Sequence, residues 1–192
     1  MSESVARRLL SYVDRDYAVG LTYGREGFGY LRKTIKGWNR AAKGVPFMVV
    51  TDLDRYPCPS ALIRDWLVET QSPNLLLRVA VREVESWLLA DAANLARYLD
   101  APEKHVPGDP DELQDPKASL IALAGRSRSK ELRSRIVPRI GSTAKQGPDY
   151  NSSLSNFVQA NWDIRAASLA SPSLARTVVK LVSFQPDWGS RS

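Results

Sequence analysis

Hydrophobic and polar positions follow two different rhythms along the first hundred residues. Val5, Leu9, Leu10 and Val13 recur at helical spacing, with Arg7, Arg8 and Ser11 between them, which predicts an N-terminal helix. A strand-like run follows over 17–23, and then Gly24, Gly27 and Gly29 at loop and helix-entry positions. Phe28, Leu31, Ile35 and Trp38 mark one face of a second helix ending near Gly44. The run PFMVVT over 46–51 is short and apolar, the type that fills a buried parallel strand. Two prolines make 52–59 a loop, and Ser60 is placed to cap a helix carrying Leu62, Ile63, Trp66 and Leu67. A second apolar run, 75–81, leads into a strongly amphipathic helix with Val84, Trp87, Leu88, Leu95 and Leu99 on one face.

The order helix, strand, helix, strand, helix, strand, helix predicts an α/β fold. Its parallel sheet would have right-handed crossovers and flanking helices. The second half reads as helical and irregular. Residues 107–116 are acidic and turn-rich, 120–123, 131–137 and 154–158 suggest short helices, and Ser171-Pro172 has the form of a helix start. With 192 residues and 43% hydrophobic positions, the chain can bury one sizeable core. The expectation is one compact unit: an α/β core over 1–100, and a helical C-terminal extension over 101–192 packed on it. No run approaches the roughly 20 apolar residues that span a bilayer. The first eight residues lack an apolar signal core behind their charges, so the expected location is cytoplasmic, away from membranes.

The rare residues narrow the chemistry. Cys58 is the only cysteine and His105 the only histidine, which excludes an intrachain disulfide and any metal site built on two imidazoles. His105 lies in a proline-flanked stretch and reads as a surface residue. Metal chemistry would therefore use oxygen ligands, pointing to Mg²⁺ or Mn²⁺.

Asp52-x-Asp54 is the sharpest candidate. Residues two apart at a strand end project to the same side, and the C-terminal edge of an open parallel sheet is where ligands bind. Two carboxylates about 4 Å apart repel by roughly 1 kcal/mol in water and about 4 kcal/mol at an effective dielectric of 20; a cation would offset that repulsion. In the alternative, Asp52 caps a turn and Asp54 pairs with Arg55. Glu83 and Glu85 open the helix after the next strand. Glu85 is the better ligand, because Glu83 has Arg82 or Arg78 as a partner, and Asp91 lies farther along the helix. Asp115-Pro116 reads as a helix start, and Lys117 beside it is suited to stabilising phosphoryl charge.

The formal charge is +6, which suits an anionic partner such as DNA or RNA. Arg32, Lys33, Lys36 and Arg40 form a basic face on the second helix and are the candidate nucleic-acid contacts. A second basic run spans 126–145. No GxxxxGK[ST] phosphate loop is present, and the glycines over 24–29 do not match the dinucleotide fingerprint in spacing.

The stretch VVTDLD over 49–54 resembles the second motif of TOPRIM domains, which occur in topoisomerases, primases and OLD-type nucleases. TDLDRYPCP (51–59), VREVESWLLAD (81–91), DPK (115–117), GPDYN (147–151) and SPSLAR (171–176) look like a TOPRIM-like bacterial family of unknown function. That family is often paired with ATPases of the ABC/SMC kind. The resemblance implies a TOPRIM-like parallel sheet, metal ligation by Asp52, Asp54 and Glu85, and a catalytic Lys117 near the scissile phosphate. It also implies a Mg²⁺-dependent nuclease acting in phage defence with an ATPase partner. The alternative is a non-catalytic subunit of the same fold, binding an ATPase or nucleic acid. TOPRIM domains place a strand ending in a catalytic glutamate before the first helix, and here the helix starts at once. The expectation is a missing or truncated first strand, through a late start codon or loss of that residue. A phosphotransferase of the haloacid-dehalogenase type also carries Asp-x-Asp, but on its first strand and without a following Arg-Tyr.

Overall fold

A computed structural model describes residues 1–13, 15, 17–23 and 27–188. Both long apolar runs become strands. β1 (Phe47–Asp52) and β2 (Leu75–Ala80) pair in parallel, from Phe47 opposite Leu75 to Asp52 opposite Ala80. They form a two-stranded sheet, the only one among the described residues.

Pleating sends successive side chains to opposite faces, and each face builds its own core. Val49, Leu53, Leu75, Leu77 and Val79 pack with Ile35 of α2 (Phe28–Ala41) and with Leu62 and Trp66 of α3 (Pro59–Trp66). Leu76 and Ala80 face a larger core. It includes Val5 and Leu9 of α1 (Ser2–Tyr12), Trp87 and Leu88 of α4 (Val84–Leu89), and Leu174 and Leu181 of α10 (Pro172–Val182). The result is a mixed α/β architecture with helices on both sides of a parallel sheet.

Two expectations about elements need correction. Residues 17–23 are not a strand: they run as irregular chain from α1 towards α2, with Leu21 82% exposed. The alternation of Tyr17, Val19, Leu21 and Tyr23 imitates a strand, but among the described residues no strand pairs with it. Aromatic packing of Tyr17 on Phe184 and of Tyr23 on Trp38 ties the segment down at its ends. Gly24 lies outside the described residues. The amphipathic helix expected over 84–99 is two helices, α4 and α5 (Ala92–Leu99). The break falls at Asp91, whose ψ of 64° leaves the helical region. Its buried carboxylate accepts from the Asn94 side chain and from the Asp163 backbone N–H at 2.7 Å. Those partners give Asp91 a structural task.

The second half supplies α6 (Pro116–Gly125), α7 (Lys130–Ile136), α8 (Tyr150–Ala160) and α9 (Ile164–Ala170) ahead of α10. Leu120, Tyr150, Phe157 and Ile164 all enter the larger core with Leu76 of β2. The start of α10 follows its sequence signature: Ser171 Oγ accepts from Leu174 N at 3.2 Å, and Pro172 takes the first helical position. Asp111 secures this end by accepting from Ser173 N at 2.8 Å. Trp87, fully buried, donates its indole N–H to Ser173 Oγ at 2.7 Å. No helix is long and apolar enough to cross a membrane, among the described residues.

The chain between α7 and α8 is closed by backbone contact. Gly147 N–H donates to Ile136 O at 2.8 Å, and Asp149 N–H to Arg135 O at 2.9 Å. A Cβ at Gly147 would lie 2.4 Å from Arg135 O and 2.6 Å from the Ile136 carbonyl carbon. Only glycine fits, because the neighbour is backbone and cannot swing aside. Gly147→Ala is therefore expected to destabilise the protein by about 3 kcal/mol, at the upper end of the usual overpacking range. Urea unfolding measures it, and a loss below about 0.5 kcal/mol would show that the segment re-routes freely.

Candidate functional site

The C-terminal edge of the sheet collects the acidic residues. β1 ends at Asp52, and β2, in register beside it, ends at Ala80, so the turn after β2 delivers Glu83 and Glu85 to the same edge. Asp52 Oδ1 accepts from the first backbone N–H of α4, that of Val84, at 2.8 Å. A carboxylate is favoured there by the unpaired amides and dipole of the helix start. Glu83 reaches the start of a different helix: its Oε2 accepts from Lys117 N in α6 at 3.0 Å. Glu85 is only 2% exposed. Its Oε1 accepts from the Tyr150 hydroxyl at 2.9 Å and lies 3.5 Å from Lys117 Nζ.

α6 aims Lys117 at this cluster. Asp115 caps the helix by accepting from Ala118 N at 2.7 Å, and Pro116 follows at the first helical position. The Lys117 ammonium lies 5.8 Å from the centroid of the Tyr150 ring, within cation–π range. Tyr150 is the first residue of α8 and is fully buried.

Negative charge exceeds positive charge here, and the ionisations register it. Burial, and then the Glu85 carboxylate, push the Asp52 carboxyl up to about 7. Glu83 is raised for the same two reasons. Burial works against the charge on Lys117, but Glu85, Glu83 and Asp52 together outweigh it and hold the ammonium above the ordinary lysine value. Burial and Glu85 likewise raise Tyr150, which remains a phenol that donates its proton to Glu85.

Of the residues singled out in the sequence, Asp52, Glu85 and Lys117 come together. Asp54 stands apart. β1 stops at Asp52, and Asp54 takes a left-handed φ of 51°, exposed to solvent. Glu85 and Glu83 raise the Asp52 carboxyl, and Lys117 lowers it. Arg82 holds this turn by donating to the backbone oxygens of Asp54 and Tyr56 at 3.2 and 2.9 Å, so it is not the partner of Glu83. Tyr150 was not singled out as a site residue. Its sequence signal was membership of the stretch over 147–151.

The basic face on α2 lies across the sheet from the carboxylates, on the side of the smaller core. Half of it is neutralised: Arg32 pairs with Asp65 at 2.9 Å and Arg40 pairs with Glu69. Lys33 and Lys36 are exposed and have no ion pair among the described residues. His105 is exposed on a short 3₁₀ turn, as expected.

Every candidate ligand is a carboxylate oxygen, and Asp52 and Glu85 each leave one oxygen that accepts no hydrogen bond from the described residues. No group of three or more His, Cys, Asp or Glu side chains is arranged to hold a metal, among the described residues. Mg²⁺ does not require such a cage, since it usually binds through one or two carboxylates together with waters and substrate phosphates. Comparison with family models, with curated proteins and with solved structures finds no match for this chain.

Proposed function

We propose that the Asp52–Glu83–Glu85–Lys117 cluster is the centre of a Mg²⁺- or Mn²⁺-dependent phosphodiesterase acting on nucleic acid. The observation that carries the reading is the convergence of three carboxylates, Asp52, Glu83 and Glu85, on the start of α4 and on one lysine, Lys117. A divalent cation and a phosphate together complement that arrangement.

Asp52 and Glu85 would hold the ion. When bound, it would act as a Lewis acid on the phosphodiester and lower the pKa of a coordinated water. Tyr150 fixes the Glu85 carboxylate through its hydrogen bond and leaves the other oxygen available. Lys117, kept protonated by its acidic neighbours, places a positive charge where phosphoryl oxygens gain negative charge. The resemblance to TOPRIM domains supports the same chemistry. A role in phage defence with an ABC/SMC-type ATPase rests on that resemblance alone.

A second reading has its own support. Asp52 caps α4, Glu83 caps α6, and Glu85 is held by Tyr150 and Lys117. Those are complete structural roles for a non-catalytic subunit that binds an ATPase or nucleic acid.

The discriminating experiment is cleavage of labelled DNA and RNA with added Mg²⁺ or Mn²⁺. Weak metal-dependent cleavage is expected from the parent protein, and a loss of about 10²-fold or more from Asp52→Asn, Glu85→Gln and Lys117→Met. Cleavage that survives all three substitutions would remove the cluster from the chemistry. A parent protein that cleaves neither substrate, and gains no stability from Mg²⁺, would favour the non-catalytic reading.

A further inference from the structure

A groove lies between α7 and the chain leading to α8. It is open to solvent and offers about 550 Å³. Lys130, Arg133, Arg135 and Arg139 line it against the single carboxylate of Asp149. Asp149 directly precedes Tyr150, whose hydroxyl holds Glu85, so the groove and the cluster share the start of α8.

Its four cations divide into two kinds. Arg133 is anchored by donating to Ser127 O, and Arg135 pairs with Glu131 at 3.2 Å and with Asp149 at 3.6 Å. These two make the walls. Lys130 and Arg139 are exposed, with no ion pair or side-chain hydrogen bond among the described residues. On the outer rim, Ile140 is fully exposed. The Gly147 backbone contact fixes the far side of the groove against the last turn of α7.

We infer that this groove, and not the α2 face, is where the protein grips the phosphodiester backbone of a nucleic acid. Each face keeps two cations without an ion pair among the described residues, so two other observations favour the groove. It is concave, with a wall of positive charge that concentrates anions. Its lining residue Asp149 directly precedes Tyr150, the hydrogen-bond partner of Glu85, whereas α2 lies across the sheet. A strand held here by successive phosphates would pass the start of α8. The exposed Ile140 is placed to meet a base, as apolar side chains do in proteins that unstack nucleic acid. This inference deepens the proposed function, but binding in the groove requires no cleavage.

The test is fluorescence anisotropy of labelled single-stranded DNA, duplex DNA and RNA with the full chain, in EDTA, over a salt series. The proteins are the parent, a Lys130→Ala/Arg139→Ala double variant and a Lys33→Ala/Lys36→Ala double variant, each checked for fold by circular dichroism. Each lost phosphate contact reduces the slope of log K against log salt by about 0.9. The groove variant is therefore expected to bind at least about tenfold more weakly, with a slope shallower by about 2. The α2 variant should stay within about twofold of the parent. Equal weakening in both variants, or no binding of any oligonucleotide by the parent, overturns the inference. Complete displacement by inorganic phosphate at equal charge concentration also overturns it, because the site then reads a lone phosphate. Groove-dependent binding without any cleavage keeps this inference and removes the nuclease reading. Cleavage indifferent to Lys130 and Arg139 does the reverse.

Discussion

Trp87→Ala should lower the unfolding free energy by about 3–5 kcal/mol, the usual cost of truncating a fully buried Trp. The side chain fills the larger core beneath the start of α10, and its indole N–H donates to Ser173 Oγ. Its own backbone oxygen accepts from the Trp162 indole at 3.1 Å, so a shift of α4 into the void would disturb a second buried pair. Against a typical total of about 5–15 kcal/mol, the loss is a large fraction of the stability. Trp87→Phe keeps most of the volume and gives up one hydrogen bond, so it should cost about 1 kcal/mol beyond the lost packing. Urea midpoints read both effects, provided that the slope with denaturant is unchanged. An alanine variant within about 1 kcal/mol of the parent would mean that the core collapses around the gap.

Asp52→Asn should leave the metal-free protein more stable than the parent at pH 8 and no more stable at pH 4. In the folded protein the Asp52 carboxyl titrates at about 7, against an ordinary value of 3.8. Between those values the folded state keeps a proton that the unfolded chain has released, so stability falls as pH rises from about 4 to about 7. The favourable contribution is complete below the lower value and gone above the upper one. At about 1.4 kcal/mol per pH unit, the difference is on the order of 4 kcal/mol at most. The amide of Asn keeps an acceptor for Val84 N–H and removes the titration. Thermal unfolding across this pH range measures the effect. Excess Mg²⁺ at pH 8 should then stabilise the parent through mass action and leave the variant unmoved. Parallel pH profiles for the two proteins would show that Asp52 does not carry the excess charge.

How much of this could be read from the sequence depended on whether a feature's cause was local. The two strands were legible because each is a continuous apolar run bounded by turn residues. Their parallel pairing followed from the helix between them. The meeting of Asp52 with Glu85 was legible for the same reason, since both follow strands that end together. The segment over 17–23 shows the limit: its alternation has the period of a strand, but a strand also needs a partner edge, and pairing is not a property of the segment. Asp54 shows another. The two-residue rule holds only while the chain stays extended, and aspartate is one of the few residues that tolerates the left-handed turn found there. The break at Asp91 and the part played by Tyr150 depend on partners some 70 residues away, Asp163 and Glu85. No local window contains them.

A sheet of two strands also divides the molecule dynamically. Among the described residues, the larger core gathers 26 buried hydrophobic residues and the smaller one 10, and β1 and β2 are the elements that belong to both layers. The α2–α3 layer can therefore lift away while the other side stays packed, as a separate cooperative unit with a lower opening free energy. Amide hydrogens of α2 and α3 should exchange with solvent well before those of α4, α6 and α8. The β1 amides bonded to β2 should follow the slower group. Because Asp52 and Glu85 face the slowly exchanging side, the carboxylate cluster would survive such openings intact.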